Sequence, residues 1–539
     1  MGKTKSSPNG LSPAVAGQTR RFRGPCIVIV AVLAFGAYAN NLGNGFAMDD
    51  GYTIVGNTDI RDFSNLPNAM ARAVGSQSTN AYERSIGSQF WRPVATLSYA
   101  VDYQLWGLRP LGYHLTSNAL HTLVSVLLLL LLLHWTGPWP ALLAAAWYAV
   151  HPVHSEAVDL ATYRTELLAT AACVAALLLH AHRQRNPWTI TWICVLYAIG
   201  LGAKETAVTL PAWLLAAQWL LSPGQRQSQA QNSTMTANNH IDSPSPQALG
   251  TPRDSPRPSL ALALGLVLAA WLAARQALAL QPSPVQFFAG LSPWQVACSV
   301  LKIYPTYIHL LLWPQPLTPF YDWTVLPPAA SLADPLALWG LGLLAATLTL
   351  ALRFSRTKPF IALGLSWWLL GLLPFCQIIR LPVGAAERFL YFPSVGIALC
   401  LAGIIEHFQL HVGQIQRRIG LAVAIALLVV LTGVTVLRNR DWHDDLTLQQ
   451  AAARDFPHSF NAHHVLGQLY LKAGRHLEAE RQLRQAEALL PGIGQNGLWL
   501  ARALLGQGQF EQAELVLRTI AEDEPDRLEL LDKATRRRR

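Results

Sequence analysis

Asp49 and Asp50, adjacent carboxylates in the stretch FAMDDGYTIVGNTDI at 46–60, are the side chains best suited to chemistry in this chain. The chain is 52% hydrophobic and 13% charged. Two acids together just after the first apolar run are therefore costly unless they face water, a cation or a reacting group. A carboxylate there can take the proton of an attacking hydroxyl, or hold a divalent cation through oxygen ligands. Asp49 and Asp50 are the candidates for both roles, since no other spacing fixes a metal site. The plainer account is that they cap a helix or end a span.

Further polar side chains recur in stretches that share a predicted side of the membrane: Arg92 with Asp102 and His114, then His151, His154, Glu156, Arg164 and Glu166, then Lys204 and Glu205, and finally Glu387 and Arg388. Groups of both signs gathered at one face suit a substrate with an anionic headgroup and an acceptor that must lose a proton. An arginine fork can bind two phosphate oxygens, and a lysine can neutralise a third. Each motif has a structural alternative. His151 and His154 lack a third metal ligand and are better read as hydrogen-bonding residues, Glu156 can pair with Arg164, and Glu387 with Arg388 can anchor a span at the interface. Lys204 beside Glu205, between two apolar runs, is harder to explain by anchoring.

The elements that must position these groups are membrane helices. Apolar blocks near 26–38, 112–134, 139–154, 167–182, 188–202, 206–221, 259–280, 336–352, 360–379, 389–405 and 418–437 predict about eleven crossings, each drawing on the roughly 20 apolar residues a bilayer requires. Residues 1–24 form a basic tail without acids and are expected to stay cytoplasmic. The run that follows ends in Ala37-Tyr38-Ala39, which resembles a signal-peptidase site, although an uncleaved anchor better keeps the Asp pair tethered. This places the loop at 44–111 outside. In it, Val94, Leu97, Val101, Leu105 and Leu108 predict an amphipathic helix lying on the membrane and roofing the site. The loop at 222–257, rich in Ser, Pro, Gln and Asn, reads as a disordered cytoplasmic loop, which makes Asn232-Ser233-Thr234 an inert acceptor site. Val296 to Trp313 is read as re-entrant or interfacial, because a full crossing would invert the basic loops at 353–359 and 416–418. The membrane domain thus covers 25–440, and the carboxyl end emerges on the side of Asp49.

The six cysteines all lie in or beside apolar runs without a CxxC pair and read as core residues. The net charge of +10 comes from basic residues in short loops, where it reports orientation, so no nucleic-acid partner is inferred. After the last span, Gly474, Ala479, Leu483 and Pro491 recur 34 residues later as Gly508, Ala513, Leu517 and Pro525. This is tetratricopeptide spacing. It predicts a short α-solenoid over 441–527, ahead of a basic tail at 528–539, with too few repeats to stand without support from the membrane domain or a partner.

The ordered set FAMDDGYTIVGN, FWRPVATLSYAVDYQLWG, GYHLTSNALH, HPVHSEAV with YRTELLA, KETAVTLPA and AERFLYFPSVG, followed by such repeats, resembles the transmembrane and tetratricopeptide-repeat protein O-mannosyltransferases and their bacterial relatives. The resemblance runs through nearly the whole chain. It implies an all-α polytopic bundle of the GT-C glycosyltransferase type, a polyprenyl-phosphate-linked sugar as donor and a catalytic acid in the first outer loop. Asp49, Asp50 and Glu156 are then the catalytic candidates, and Arg92, Arg164, Lys204 and Arg388 the candidates for the donor phosphate. His114, His151, His154, Glu166, Glu205 and Glu387 support them. One displacement would transfer the sugar with inversion, Asp49 being the favoured base; a divalent cation is compatible but not demanded. The expected setting is a bacterial inner membrane with the repeats outside, binding a protein Ser or Thr acceptor along a concave surface. The animal proteins carry longer arrays, so acceptor recognition transfers least well. Competing readings are transfer to a glycolipid or cell-wall glycan, and a non-catalytic scaffold that recruits partners through its repeats. A transporter would instead place its ionisable residues at mid-membrane.

Overall fold

The computed structural model describes residues 13–74, 76, 84, 87, 89–182, 187–221, 258–278, 280, 283–521, 524 and 526–538. The start of the amino-terminal tail, the loop at 222–257 with Asn232-Ser233-Thr234, residues 183–186 of the basic loop at 180–187, Pro525 and Arg539 lie outside the described residues. Every described element is helical. Pro93, Pro110, Pro138, Pro293, Pro335 and Pro359 each open a helix, where the missing N–H costs nothing and the fixed φ suits the first turn.

Among the described residues, seven helices are long and apolar enough to cross a membrane: Arg21–Gly43, Pro110–Trp135, Ala161–Ala181, Ser259–Ala277, Pro335–Phe354, Ser394–His411 and Gln414–Asp441. The chain is an integral membrane protein. The other four expected crossings are shorter helices. Pro138–Val150 has 13 residues, Pro187–Ala203 17, Leu210–Leu220 11 and Pro359–Leu372 14. Hydropathy runs on past their ends because the breaks at His151-Pro152 and Lys204-Glu205 sit inside sequence that remains largely apolar. Pro293–Leu312 is one continuous amphipathic helix packed along Pro335–Phe354, and it is not among the seven.

The short Pro138–Val150 helix is central. It is buried almost all round, apolar and alanine-rich, and it packs against Pro13–Tyr38, Pro110–Trp135, Ser394–His411 and Gln414–Asp441. Ala37-Tyr38-Ala39 ends the first helix in this core: Tyr38 is fully buried and its hydroxyl donates to the His151 carbonyl at 3.2 Å. The Pro359–Leu372 and Ser394–His411 helices cross at two glycines. A Cβ on Gly396 would lie 2.4 Å from the Gly364 carbonyl oxygen, and one on Gly364 the same distance from that of Gly396. Backbone cannot yield as a side-chain tip can. Gly396→Ala is therefore expected to destabilise the protein by about 1–3 kcal/mol, read as a lower unfolding midpoint in detergent, while Gly342→Ala, which meets nothing within 4 Å, leaves it unchanged.

Pro93–Trp106 forms the helix expected in the loop between the first two membrane helices. Ala95, Tyr99, Ala100 and Asp102 are buried, whereas Val101 and Leu105 are exposed, leaving an apolar strip for lipid. Beyond the last membrane helix come Asp445–Asp455, Phe460–Lys472, His476–Leu489, Gly494–Gly506, Phe510–Thr519 and Arg527–Arg538. Phe460 and Gly494 open helices 34 residues apart, as do His476 and Phe510. Buried Leu483 and Leu517, with Ala479 and Ala513, knit these hairpins into their own core. The array also leans on the membrane domain, where Asp322 Oδ2 accepts from Ser459 Oγ and from the Asn461 N–H, both at 2.8 Å. This caps the Phe460–Lys472 helix. The Gly45 N–H donates to His443 O at 2.8 Å and the Met48 N–H to Asp445 Oδ1 at 2.6 Å. The loop carrying Asp49 and the root of the repeats therefore lie on one face.

Candidate active site

The two aspartates have different fates. Asp50 is fully buried; its Oδ1 accepts from the N–H and hydroxyl of Thr162, each at 2.7 Å, and its Oδ2 from the Ala161 N–H at 3.4 Å. It ties the loop after the first helix to the turn before the Arg164–Ala181 helix. Asp49 is half-buried, and one oxygen accepts from the Tyr163 hydroxyl at 2.7 Å. The pair does not present a joint set of oxygen ligands. Among the described residues there is no group of three or more His, Cys, Asp or Glu side chains placed to hold a metal.

Burial raises the Asp50 carboxyl to about 6, against the hydrogen bonds from Thr162, Ala161 and Ala47. The folded protein therefore holds this proton to a higher pH than the unfolded chain, where an aspartate titrates near about 3.9. The sign follows: stability from this group is complete below about pH 4 and is lost as pH rises through about 6. An asparagine amide in place of this carboxyl would accept the same Thr162 bonds without the charge. Asp50→Asn is thus expected to match wild type in unfolding midpoint near pH 4 and to exceed it at pH 7, by on the order of 2 kcal/mol. Parallel melts across that range measure the difference.

Tyr163 connects Asp49 to the cationic side of the site. The Arg388 guanidinium lies 4.2 Å from the centre of its ring. Arg388 also forms a buried ion pair with Glu156, and its backbone N–H donates to Glu156 Oε2 at 2.7 Å. Lys204 pairs with Glu166 and sits 5.3 Å and 5.5 Å from the rings of Phe375 and Phe389, which stack on each other. Arg92 pairs with Glu205 at 3.1 Å, and Arg275 reaches the other oxygen of Glu205 at 3.7 Å. The charges of Lys204, Arg92 and Arg388 all act on Glu166. The buried Thr53 and Thr165 hydroxyls and Glu166 Oε2 have no hydrogen-bond partner among the described residues. Thr53, Thr165 and Arg92 line one small cavity together with Tyr52, Tyr99 and Thr162. A ligand there meets the unpartnered Thr53 and Thr165 hydroxyls and Arg92, a cation able to trade its Glu205 carboxylate for a phosphate; Asp49, Lys204 and Arg388 are not among the residues that line this cavity.

Other predicted residues sit elsewhere. Arg164, expected beside the donor phosphate or paired with Glu156, is fully buried. It donates to Asp102 Oδ2 at 2.5 Å and to the Tyr113 carbonyl at 2.9 Å, and so does not reach the cavity. His114 meets the Gly45 carbonyl at 3.1 Å. His151 meets the Leu311 carbonyl at 3.1 Å, and His154 lies between the Tyr148 carbonyl and Ser394 Oγ. These histidines brace loops. Glu387 faces away from Arg388: its Oε1 accepts from the Thr318 N–H and the Tyr321 hydroxyl, and burial raises its carboxyl to about 8 with Arg438 opposing. It anchors the loop that holds the repeats.

Sequence reasoning missed Tyr163, Arg275 and Arg438. Arg275 carried a usable signal, since an arginine near the end of an apolar run must find water or an acid. Tyr163 carried none, because its role depends on two distant residues meeting at its ring.

These features define an all-helical, multi-pass membrane protein with a half-buried acid beside a cluster of cation–carboxylate pairs at one face. Its homologues are protein O-mannosyl-transferases. Protein O-mannosyl-transferase Tmtc1 of Drosophila melanogaster is 30% identical over 544 residues, covering 84% of this chain and 60% of that protein. Protein O-mannosyl-transferase F38B6.6 of Caenorhabditis elegans is 23% identical, covering 90% of this chain and 66% of that protein, and human TMTC1 is 24% identical, covering 84% and 54%. The chain thus spans about 60% of the length of these relatives. No family model matches it. Among solved structures, ArnT from Cupriavidus metallidurans bound to undecaprenyl phosphate aligns over 95% of this chain and 84% of that one, at 12% identity and a TM-score of 0.36, too low to equate the folds.

Proposed function

We propose that this chain is an inverting membrane glycosyltransferase of GT-C type that moves a sugar, mannose by homology, from a polyprenyl-phosphate-linked donor to a protein Ser or Thr hydroxyl on the extracytoplasmic face. The observation that carries the proposal is the placing of half-buried Asp49 across Tyr163 from Arg388. Asp49 takes the proton of the acceptor hydroxyl as its oxygen bonds to the anomeric carbon. The bond from that carbon to the phosphate oxygen breaks on the opposite face, and the lipid phosphate leaves with the electron pair. Arg388, Lys204 and Arg92 neutralise it, drawn from pairs with Glu156, Glu166 and Glu205. Glu156 acts by orienting Arg388 and not as an acid or base; Asp50 and Arg164 hold the loop and the helix that carry Asp49 and Tyr163.

The docked repeats favour a protein acceptor over a glycolipid or cell-wall glycan, because stacked hairpins present an extended surface beside the Asp49 loop. The test is purified full-length protein with polyprenyl-phosphate mannose and a Ser/Thr-rich peptide. Mannosyl peptide of inverted anomeric configuration is expected by mass spectrometry and NMR. Unconsumed donor, or retained configuration, contradicts the proposal.

A further inference from the structure

A second basic site, which Asp49 does not line, lies on the same face. The carboxyl ends of the Pro293–Leu312 and Gln414–Asp441 helices and the first helix after the membrane, Asp445–Asp455, enclose a groove of about 630 Å³. Trp313, Gln315, Leu437, Arg438, Arg440 and Arg454 line it.

The three arginines are unequally spent. Arg454 is held by Asp455 through two bonds of 2.7 Å and 3.0 Å. Arg438 is 5% exposed and gives one nitrogen to Asp441 at 3.1 Å. Its Nε and Nη2 have no hydrogen-bond partner among the described residues, and Nη2 stands 3.9 Å from Glu387, too far for a hydrogen bond. The Arg440 side chain is exposed and unpaired among the described residues. Three guanidinium groups thus face two lining carboxylates, Asp441 and Asp455, with buried hydrogen-bonding capacity left over.

The rim is apolar. Leu312 is 79% exposed, Trp313 65% and Leu437 57%, all at the ends of their helices. A free aqueous anion gains nothing from these side chains, whereas a lipid has acyl chains to lay on Leu312 and Leu437 and a headgroup for the arginines. Tryptophan and arginine at a helix end are placed for the headgroup level.

We propose that this groove binds the phosphate headgroup of an acidic membrane phospholipid, on Arg438 and Arg440, with its chains along Leu437 and Trp313. The site is independent of the sugar-transfer reading. Lipid bound there would hold the last membrane helix and the first repeat helix in register at the bilayer surface.

The test uses full-length protein in neutral detergent, titrated with phosphatidylglycerol or phosphatidylcholine and read by native mass spectrometry. Wild type is expected to retain phosphatidylglycerol in preference. Arg440→Gln, a surface change that leaves the fold intact, should weaken retention about fivefold, and Arg438→Gln with Arg440→Gln more than tenfold. Arg418→Gln, near the other end of the same helix, should change nothing. The inference is overturned if both lipids are retained equally, or if Arg418→Gln and Arg440→Gln have equal effects. It is also overturned if inorganic phosphate displaces the lipid at matching concentration, or if polyprenyl phosphate depends on these arginines more strongly than phosphatidylglycerol does.

Discussion

Asp49→Asn is expected to reduce sugar transfer by at least about 100-fold while leaving the unfolding midpoint of the protein in place. General-base removal costs roughly 10²–10⁴ in rate. The amide still accepts the Tyr163 hydrogen bond that now reaches Asp49, so the loop keeps its shape. Asp50→Asn is expected to do the reverse, keeping transfer within a few-fold of wild type while shifting the dependence of stability on pH. The two neighbours thus separate chemistry from architecture. Transfer rates and melts of both variants decide the matter: equal rates for Asp49→Asn and wild type would remove the base, and a collapse of the Asp49→Asn melt would make its loss of rate uninformative. Tyr163→Phe should lower the rate about tenfold with little change in stability, because Asp49 loses a hydrogen bond beside Arg388 but keeps its charge.

Arg164→Gln is expected to cost about 3–5 kcal/mol of stability, because it leaves Asp102 charged and unpaired in the interior. Both side chains are at most 3% exposed. Arg164 also lies over the rings of Tyr99 and Tyr113, at 5.2 Å and 5.6 Å, so truncation loses packing as well as charge. Combining Arg164→Gln with Asp102→Asn should recover more than half of the loss, since the remaining amide can keep the Thr116 hydrogen bond without a buried charge. Chemical denaturation in mild detergent, run as a double-mutant cycle, measures this directly. If the single variant is as stable as wild type but no longer binds the phosphate of the donor, Arg164 is a ligand and the buried pair has been misassigned.

The sequence made the helical membrane class, the roofing helix at 93–106 and the 34-residue step of the terminal hairpins legible, because each rests on local periodicity. Hydropathy could not mark where Pro138–Val150 ends. That helix runs into a polar turn whose charges are satisfied by distant elements, and its flanks remain apolar. The same physics explains the site. Residue types and their common membrane face were readable, but pairing was not: Glu156 lies eight positions from Arg164 and pairs instead with Arg388, 232 positions away. Lys204 passes over its neighbour Glu205 for Glu166. Buried ion pairs are chosen by the fold, and chain proximity is a poor guide once helices set the distances. The division of labour between Asp49 and Asp50 was hidden for a related reason. It turns on Thr162 and Tyr163, adjacent residues that reach the two acids from one short turn.

The most direct test of the central claim is a single-turnover measurement on purified wild-type protein loaded with polyprenyl-phosphate mannose, before and after addition of a Ser/Thr-rich peptide. One mannose per occupied site should move to the peptide with release of polyprenyl phosphate, and Asp49→Asn should hold the same amount of donor without releasing it. Donor that remains intact on wild-type protein when the peptide is added, or that is turned over equally by Asp49→Asn, would contradict the account.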